Sequence, residues 1–148
     1  LKGALFMKLD ESDLAEQVID FFNRLPFNKF MGISLIRIGK GSAEMMVDYN
    51  NNLIGDSESK VIHGGVVTTL LDAACGAAVM SAGMPKVPTA TIDLRIDYMR
   101  SAKPGKMILA KANCFRITSS VAFVKADATD GVDEVPVASA SGAFTSPI

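Results

Sequence analysis

The sequence is short of the residues on which several kinds of functional site depend. Its 148 residues include one histidine, two cysteines and no tryptophan. The sequence has 15 basic and 16 acidic side chains. The single His63 excludes any site built on two or more histidines. Cys75 and Cys114 lack zinc-type spacing and are too few for a disulfide scaffold. A net charge of −1 provides no basic field for a nucleic acid backbone. These absences favour a reduced, cytoplasmic protein without a metal site or a nucleic acid partner.

One long apolar run, from Gly64 to Met84, is the only candidate for a membrane span. Asp72 lies near its centre, where a charge costs about 3 kcal/mol at mid-bilayer, and the run lacks basic flanks and an aromatic belt. The start of the chain, Leu1 to Lys8, has too short an apolar stretch for a signal peptide. We therefore interpret the run as a buried helix and expect no membrane partner. The sequence does not determine whether Leu1 is the native first residue.

Hydrophobic periodicity predicts the other elements. Val18, Phe21 and Leu25 recur at helical spacing before Pro26, which predicts a helix over about 12–25. In the segment 89–98 apolar and polar residues alternate, so that Thr91 is expected on the polar face of a strand. Strands are predicted at 33–38, 42–49, 89–98, 107–118, 121–129 and 135–144.

The central helix, at about 64–82, is apolar on almost every side. A helix of this kind must be surrounded by other elements. We expect a curved antiparallel sheet of five to six strands to wrap around it, with neighbouring subunits covering what remains. The predicted fold is a single α+β domain over residues 1–148.

The start of this helix is a candidate binding site. Gly64 and Gly65 lie where unpaired backbone N–H groups and the helix dipole favour negative charge. Because glycine has no Cβ, a ligand oxygen can approach the backbone closely and a carbonyl can be polarised there. A simple turn from loop to helix is the alternative interpretation of the two glycines.

Asp72 is the second candidate. It lies two turns into a helix of aliphatic and small residues, where an ionised carboxylate is expensive. One interpretation is a general base or nucleophile, and the other is a structural aspartate bonded to Thr68, Thr69 or a nearby loop. Gly64 and Asp72 are separated by eight residues, about 12 Å along one helix, so they cannot act on one carbonyl from the same chain. If both residues act together, the protein must be at least a dimer, with helices related by a dyad.

The motif His63-Gly64-Gly65 followed by Asp72 resembles the hot-dog-fold acyl-CoA thioesterases of the phenylacetate-degradation (PaaI-like) family. The segment from Ala90 to Ala102 resembles the strand that follows the central helix in that family, and the similarity spans about 27–144. Members form dimers whose sheets join edge to edge, usually assembled into tetramers. The resemblance therefore implies a hot-dog fold and a homo-oligomer, dimer at least.

The resemblance also implies roles for individual residues. Asp72 would be the nucleophile or the base that activates water, and the Gly64 amide of the opposite subunit would polarise the thioester carbonyl. His63 would orient the thioester, although a capping or loop histidine is the alternative. Gly65 would contact substrate in the same turn. Thr91 matches a strand hydroxyl that positions water or the aspartate in some relatives.

Some positions depart from the family pattern. Many relatives carry an Asn or Gln as a polar helper at the position of Ser57. In this sequence the helper is replaced by Ser57, supplied by a shifted Asn, or absent. Lys103, Lys106 and Arg116 are candidates for contacts with coenzyme A phosphates, with solvated surface charge as the alternative.

The leading prediction is hydrolysis of an acyl-CoA thioester without a metal or redox cofactor, since coenzyme A is part of the substrate. The alternative is a non-catalytic acyl-CoA-binding hot-dog protein. A hydratase is disfavoured because it needs a histidine paired with a carboxylate in a different motif. The acyl group is not determined: Phe30, Met80 and Met84 are apolar pocket candidates that suit aromatic and medium-chain groups equally.

Overall fold

The computed structural model describes residues 11–83, 89–133 and 135–146. Its elements follow the predicted order of a helix, two strands, a long helix and further strands. The helices are α1 (Glu11–Arg24), α2 (Pro26–Met31) and α3 (Gly64–Ala82), and the strands are β1 (Ile33–Gly39), β2 (Ser42–Val47), β3 (Thr91–Tyr98), β4 (Ile108–Ile117), β5 (Val121–Thr129) and β6 (Ala138–Thr145).

The helix predicted at about 12–25 is confirmed as α1, whereas α2 was not predicted. Pro26 follows α1 and opens α2, because proline fits the first turn of a helix, where its missing N–H costs nothing. Gly32 ends α2 with a φ of 70°, in the left-handed region that glycine adopts without strain. These two residues turn the chain into β1.

The six strands form one antiparallel sheet in the order β1-β2-β4-β5-β6-β3. The predicted turn between the first two strands is confirmed, with Gly39 paired to Ser42 and Gly41 at a φ of 73°. β3 comes after the long helix in the chain but lies at the far edge of the sheet, where it pairs with β6. Within the described residues its other edge is unpaired.

The sheet wraps around α3 as predicted. Nine of the 19 residues of the helix are buried, and Leu70, Leu71 and Ala74 are fully so. By length and composition α3 could also cross a membrane, but half of its most apolar window is covered by the rest of the protein. The interpretation of the apolar run as the buried central helix of a folded sheet is therefore confirmed.

Candidate functional site

The first turn of α3 presents one free backbone donor. His63 is the N-cap, and its Nδ1 accepts the N–H of Gly65 at 2.9 Å, while its carbonyl accepts the N–H of Val66 at 2.9 Å. The N–H of Gly64 has no hydrogen-bond partner among the described residues. The predicted glycine amide is thus available to a ligand, whereas the Gly65 amide is occupied by the histidine.

Two glycines make room for His63. A Cβ on Gly65 would lie 2.9 Å from the histidine Nδ1, and one on Gly55 would lie 2.9 Å from its Cα and 3.2 Å from its Cδ2. The loop that carries Gly55 folds back on itself, since the Gly55 N–H donates to Val61 and the His63 N–H to Leu53. The imidazole is therefore held between two backbone segments rather than on a free loop.

Asp72 lies two turns further along α3 and is partly buried. Its Oδ1 accepts a hydrogen bond from the hydroxyl of Thr91 at 2.8 Å, and its Oδ2 has no such partner in the described chain. Thr69 donates to the Gly65 carbonyl at 2.9 Å, and the Thr68 hydroxyl lies between the Gly64 carbonyl, at 3.2 Å, and the Tyr98 hydroxyl. The partner of Asp72 is therefore a strand hydroxyl and neither of the two helix threonines considered above.

Thr91 reaches Asp72 because of a bulge in β3. The register of β3 against β6 shifts between Thr91 and Asp93, and Thr91 pairs with Phe144, whose side chain is buried. Cross-strand partners share one face of a sheet, so Thr91 faces the helix. Ile92 takes the extra position and is 56% exposed. The expectation that Thr91 lies on the polar face was wrong because simple alternation cannot anticipate a bulge.

Tyr98, at the opposite end of β3, is a site residue that the sequence reasoning did not single out. Its hydroxyl donates to the carbonyl of Gly64 at 2.7 Å and lies against the hydroxyl of Thr68. Its ring covers Gly64, where an added Cβ would lie 3.6 Å from the ring. The aromatic residue at the end of an alternating strand was the only signal, and it indicated core packing.

A cavity of about 400 Å³ opens beside Gly64 and Tyr98. An ion pair fixes one wall: Arg100 makes two hydrogen bonds to Asp130, at 2.7 and 2.8 Å, and the Lys103 N–H donates to the same carboxylate. The Arg100 guanidinium holds the pKa of Asp130 well below its ordinary value. The cavity is lined by Val61, Ile62, Gly64, Val67, Tyr98, Met99, Arg100, Ser101, Ala102 and Val137.

Cys75 lies one turn after Asp72 but does not join the site. Burial, and to a smaller extent the charge of Asp72, raises the pKa of the Cys75 thiol to about 12. A thiol of this kind stays protonated and is a poor nucleophile. Of the two reactive side chains on this stretch of α3, the carboxylate is the one suited to attack or to proton transfer.

The remaining candidates lie elsewhere. Ser57 is exposed in a turn closed by Asp56, and no hydrogen bond within the described ranges links it to Asp72 or Gly64. Phe30 is 81% exposed and Met80 packs against the core, while Met84 lies outside the described residues. The three basic candidates for phosphate contacts, Lys103, Lys106 and Arg116, are exposed.

A long helix wrapped by a six-stranded antiparallel sheet is the hot-dog fold that the motif led us to expect. The chain belongs to the thioesterase superfamily, whose sequence profile matches residues 59–137. That match takes in the start of α3, Asp72 and the whole of β3.

Individual relatives agree with this assignment. The medium/long-chain acyl-CoA thioesterase YigI of Escherichia coli K12 is 26% identical in an alignment 137 positions long, which covers 84% of this chain and 87% of that protein. A crystal structure from Pseudomonas aeruginosa matches with a TM-score of 0.78 and 32% identity, covering 89% of this chain and 98% of that one. The Escherichia coli PaaI protein from the phenylacetic acid degradation operon shares the fold, with a TM-score of 0.75 and 19% identity over 86% of this chain and 88% of its own.

Proposed function

We propose that the protein hydrolyses acyl-CoA thioesters to the free carboxylic acid and coenzyme A. The observation that carries this proposal is that the two candidate site groups, the Asp72 carboxylate and the turn with the Gly64 amide, are hydrogen-bonded to opposite ends of the edge strand β3. Asp72 is bonded to Thr91 at the start of β3, and the turn with the free Gly64 amide is bonded to Tyr98 at its end. Membership of the thioesterase superfamily supports the same reaction.

This attachment implies a site shared between two subunits. Within one chain Gly64 and Asp72 are separated by about 12 Å of helix, too far for both to contact one carbonyl. Among the described residues one edge of β3 is unpaired, and a strand of this kind readily pairs with another chain. Antiparallel pairing with the same strand of a second copy brings the Thr91 end of one chain beside the Tyr98 end of the other. Asp72 then lies near Gly64 of the partner subunit.

The chemistry follows from this pair of groups. The amide of Gly64 of the partner subunit donates to the thioester oxygen and stabilises the negative charge that develops there. The Asp72 carboxylate attacks the carbonyl carbon or takes a proton from the water that does so. If Asp72 attacks, the carbon–sulfur bond breaks as a mixed anhydride with Asp72 forms, and water then hydrolyses that anhydride. If Asp72 activates water, the water adds to the carbonyl carbon and the carbon–sulfur bond then breaks. In both routes the water oxygen ends in the carboxylic acid and a proton from the water neutralises the coenzyme A thiolate. The proposed reaction needs neither a metal nor a redox cofactor.

The first substrates to test are straight-chain acyl-CoAs, because the Escherichia coli relative is named for medium and long acyl chains. Aryl-CoA thioesters belong in the same panel. Two subunits are enough to form the shared site. The tetramer implied by the family resemblance stays a prediction.

Asp72→Asn tests the reaction directly. The substitution keeps the size of the side chain and its acceptor for Thr91 but removes the charge, so we expect release of coenzyme A, followed with a thiol reagent, to fall by about a thousandfold. The matched control is Asp20→Asn, which removes an exposed carboxylate paired with Arg24 on α1 and should leave the rate unchanged. Hydrolysis by Asp72→Asn at the wild-type rate contradicts the mechanism. Acyl-CoA binding without any wild-type turnover indicates the non-catalytic alternative.

A further inference from the structure

Two hydroxyl groups, those of Tyr98 and Thr68, lie against the carbonyl of the first peptide unit of α3. The Tyr98 hydroxyl lies 2.7 Å from the Gly64 carbonyl, and the Thr68 hydroxyl lies 3.2 Å from the same oxygen and in contact with the Tyr98 hydroxyl. Each hydroxyl can donate one hydrogen bond. In either of the two possible arrangements, one hydroxyl donates to the Gly64 carbonyl and the other donates to the first hydroxyl. The shorter distance identifies Tyr98 as the donor, with Thr68 donating to the tyrosine oxygen.

The N–H of the same peptide unit extends this series of hydrogen bonds to His63. The Gly64 carbonyl and the Gly65 N–H belong to one peptide unit, and that N–H donates to Nδ1 of His63 at 2.9 Å. Hydrogen bonds in series polarise one another, so the bond from Tyr98 strengthens the bond to the histidine. Because Nδ1 is the acceptor, the neutral imidazole carries its proton on Nε2.

The packing around His63 maintains this arrangement. The contacts of Gly55 and Gly65 with the imidazole leave no room for a Cβ at either position, which restricts rotation of the ring. Its Nε2 has no partner in the part of the chain that the structure describes. Among the described residues, the start of α3 therefore carries two donors without a partner, the Gly64 N–H and the His63 Nε2–H.

We propose that Tyr98 is a positioning residue of the thioesterase site: through the Gly64–Gly65 peptide it holds His63, the residue that precedes the Gly64 amide, as an Nε2–H donor. The tyrosine itself does not contact the reacting atoms. Its effect on hydrolysis rests on the proposed function, whereas its effect on the histidine can be measured without substrate.

Tyr98→Phe tests the proposal, since it keeps the ring against Gly64 and removes only the hydroxyl. The chain contains one histidine, so a tag-free protein with ¹⁵N-labelled histidine gives one pair of ring nitrogen signals in NMR. In alkaline buffer we expect the Nδ1 and Nε2 shifts to move towards each other, as the share of Nδ1–H imidazole rises. The Gly65 amide proton should move upfield and exchange with solvent about tenfold faster.

Activity provides the second measurement. For an acyl-CoA that wild type hydrolyses, we expect kcat of Tyr98→Phe to fall by up to about tenfold, because only the more distant Thr68 hydroxyl, at 3.2 Å, is left to donate to the Gly64 carbonyl, with KM changed by less than about twofold. Thr68→Val should change both measurements in the same direction and to a smaller extent, since it removes the hydroxyl behind Tyr98.

Tyr49→Phe is the matched control. Tyr49 is the other of the two tyrosines in the chain, and its hydroxyl also donates to a backbone carbonyl, that of Lys60 at 2.8 Å. This variant should leave the histidine signals and kcat unchanged. Unchanged histidine and Gly65 signals in Tyr98→Phe overturn the proposal, and so does an unchanged kcat. If wild type hydrolyses no acyl-CoA, the proposed function fails, and the NMR result still decides whether Tyr98 controls the imidazole.

Discussion

The contact between Asp72 and Thr91 defines what the carboxylate can do. One oxygen is held by the threonine hydroxyl at 2.8 Å, and the other has no hydrogen-bond partner within the described residues. A carboxylate fixed at one oxygen keeps a defined direction for the second. The free oxygen is therefore the atom that we expect to meet the carbonyl carbon or the attacking water.

Replacing Thr91 tests this arrangement at the level of one residue. Thr91→Val keeps the shape of the side chain and removes the donor, so Asp72 loses its fixed orientation. A hydrogen bond to a charged group contributes about 1.5–3 kcal/mol, and we expect kcat to fall by about tenfold or more. Thr91→Ser restores the hydroxyl and should recover most of the rate in the same steady-state assay. Equal rates for the valine and serine variants contradict the role of the hydroxyl.

Sequence reasoning identified the site residues that are unusual where they occur. Asp72 is a carboxylate in an apolar helix, and Gly64 is one of two adjacent glycines at a helix start, so each calls for an explanation. Thr91 was named only through the family resemblance, and Tyr98 was not named at all, because both are ordinary residues for a strand. Their positions depend on a bulge and on contacts with a helix far away in the chain, and neither follows from local pattern.

At the level of elements, the chain order was predictable from periodicity, and the lateral order of the strands was not. The all-round apolar character of 64–82 indicated a surrounded helix, which α3 confirms. The short helix α2 was missed because Pro26 both follows one helix and starts the next. The placement of β3 at the sheet edge depends on pairing between distant segments and has no signal in its own sequence.

The loops after β3 and β5 are joined by the ion pair of Arg100 with Asp130. Asp130→Asn leaves a largely buried guanidinium without its partner, and we expect the free energy of unfolding near neutral pH to fall by about 3 kcal/mol. The folded-state pKa of Asp130 is depressed below its ordinary value of 3.8. Its contribution is therefore complete above that value and is lost as the pH falls towards the folded-state pKa. Denaturant unfolding should show the two proteins converging in acid below about pH 4.

Asp133→Asn is the control for this prediction. Asp133 also faces Arg100, at 3.7 Å, but its side chain is 48% exposed. An exposed pair contributes at most about 1 kcal/mol, so this variant should unfold close to wild type. An Asp130→Asn protein as stable as Asp133→Asn contradicts a stabilising role for the buried pair.

At the scale of the whole molecule, the shared site can be tested by combining two inactive variants. Gly64→Pro removes the amide donor and suits the local backbone, because proline fits the first position of a helix and His63, at a ψ of 135°, has the extended conformation required before proline. In a mixed dimer with Asp72→Asn, one site carries both defects and the other carries neither. Random pairing should therefore restore about a quarter of wild-type activity.

Co-expression of the two variants with different tags gives the material for this measurement. Two variants of the same position, Asp72→Asn with Asp72→Ala, leave no intact site in any dimer and serve as the control. If Asp72 and Gly64 act within one chain, each site of the mixed dimer has one defect, and no activity returns. That result would contradict the pairing of β3 with a second copy.

The unpaired edge of β3 has a consequence for how the proposed enzyme responds to its own abundance. In the proposed shared site, a lone chain would hold a carboxylate without an oxyanion donor and a donor without a carboxylate, so it would carry two incomplete halves of different sites. Association completes both halves at once. Below the dissociation constant of the dimer, the rate of hydrolysis should rise with the square of the protein concentration, and above it in simple proportion. Dilution alone then switches the activity off, with no inhibitor and no change in the fold of the chain.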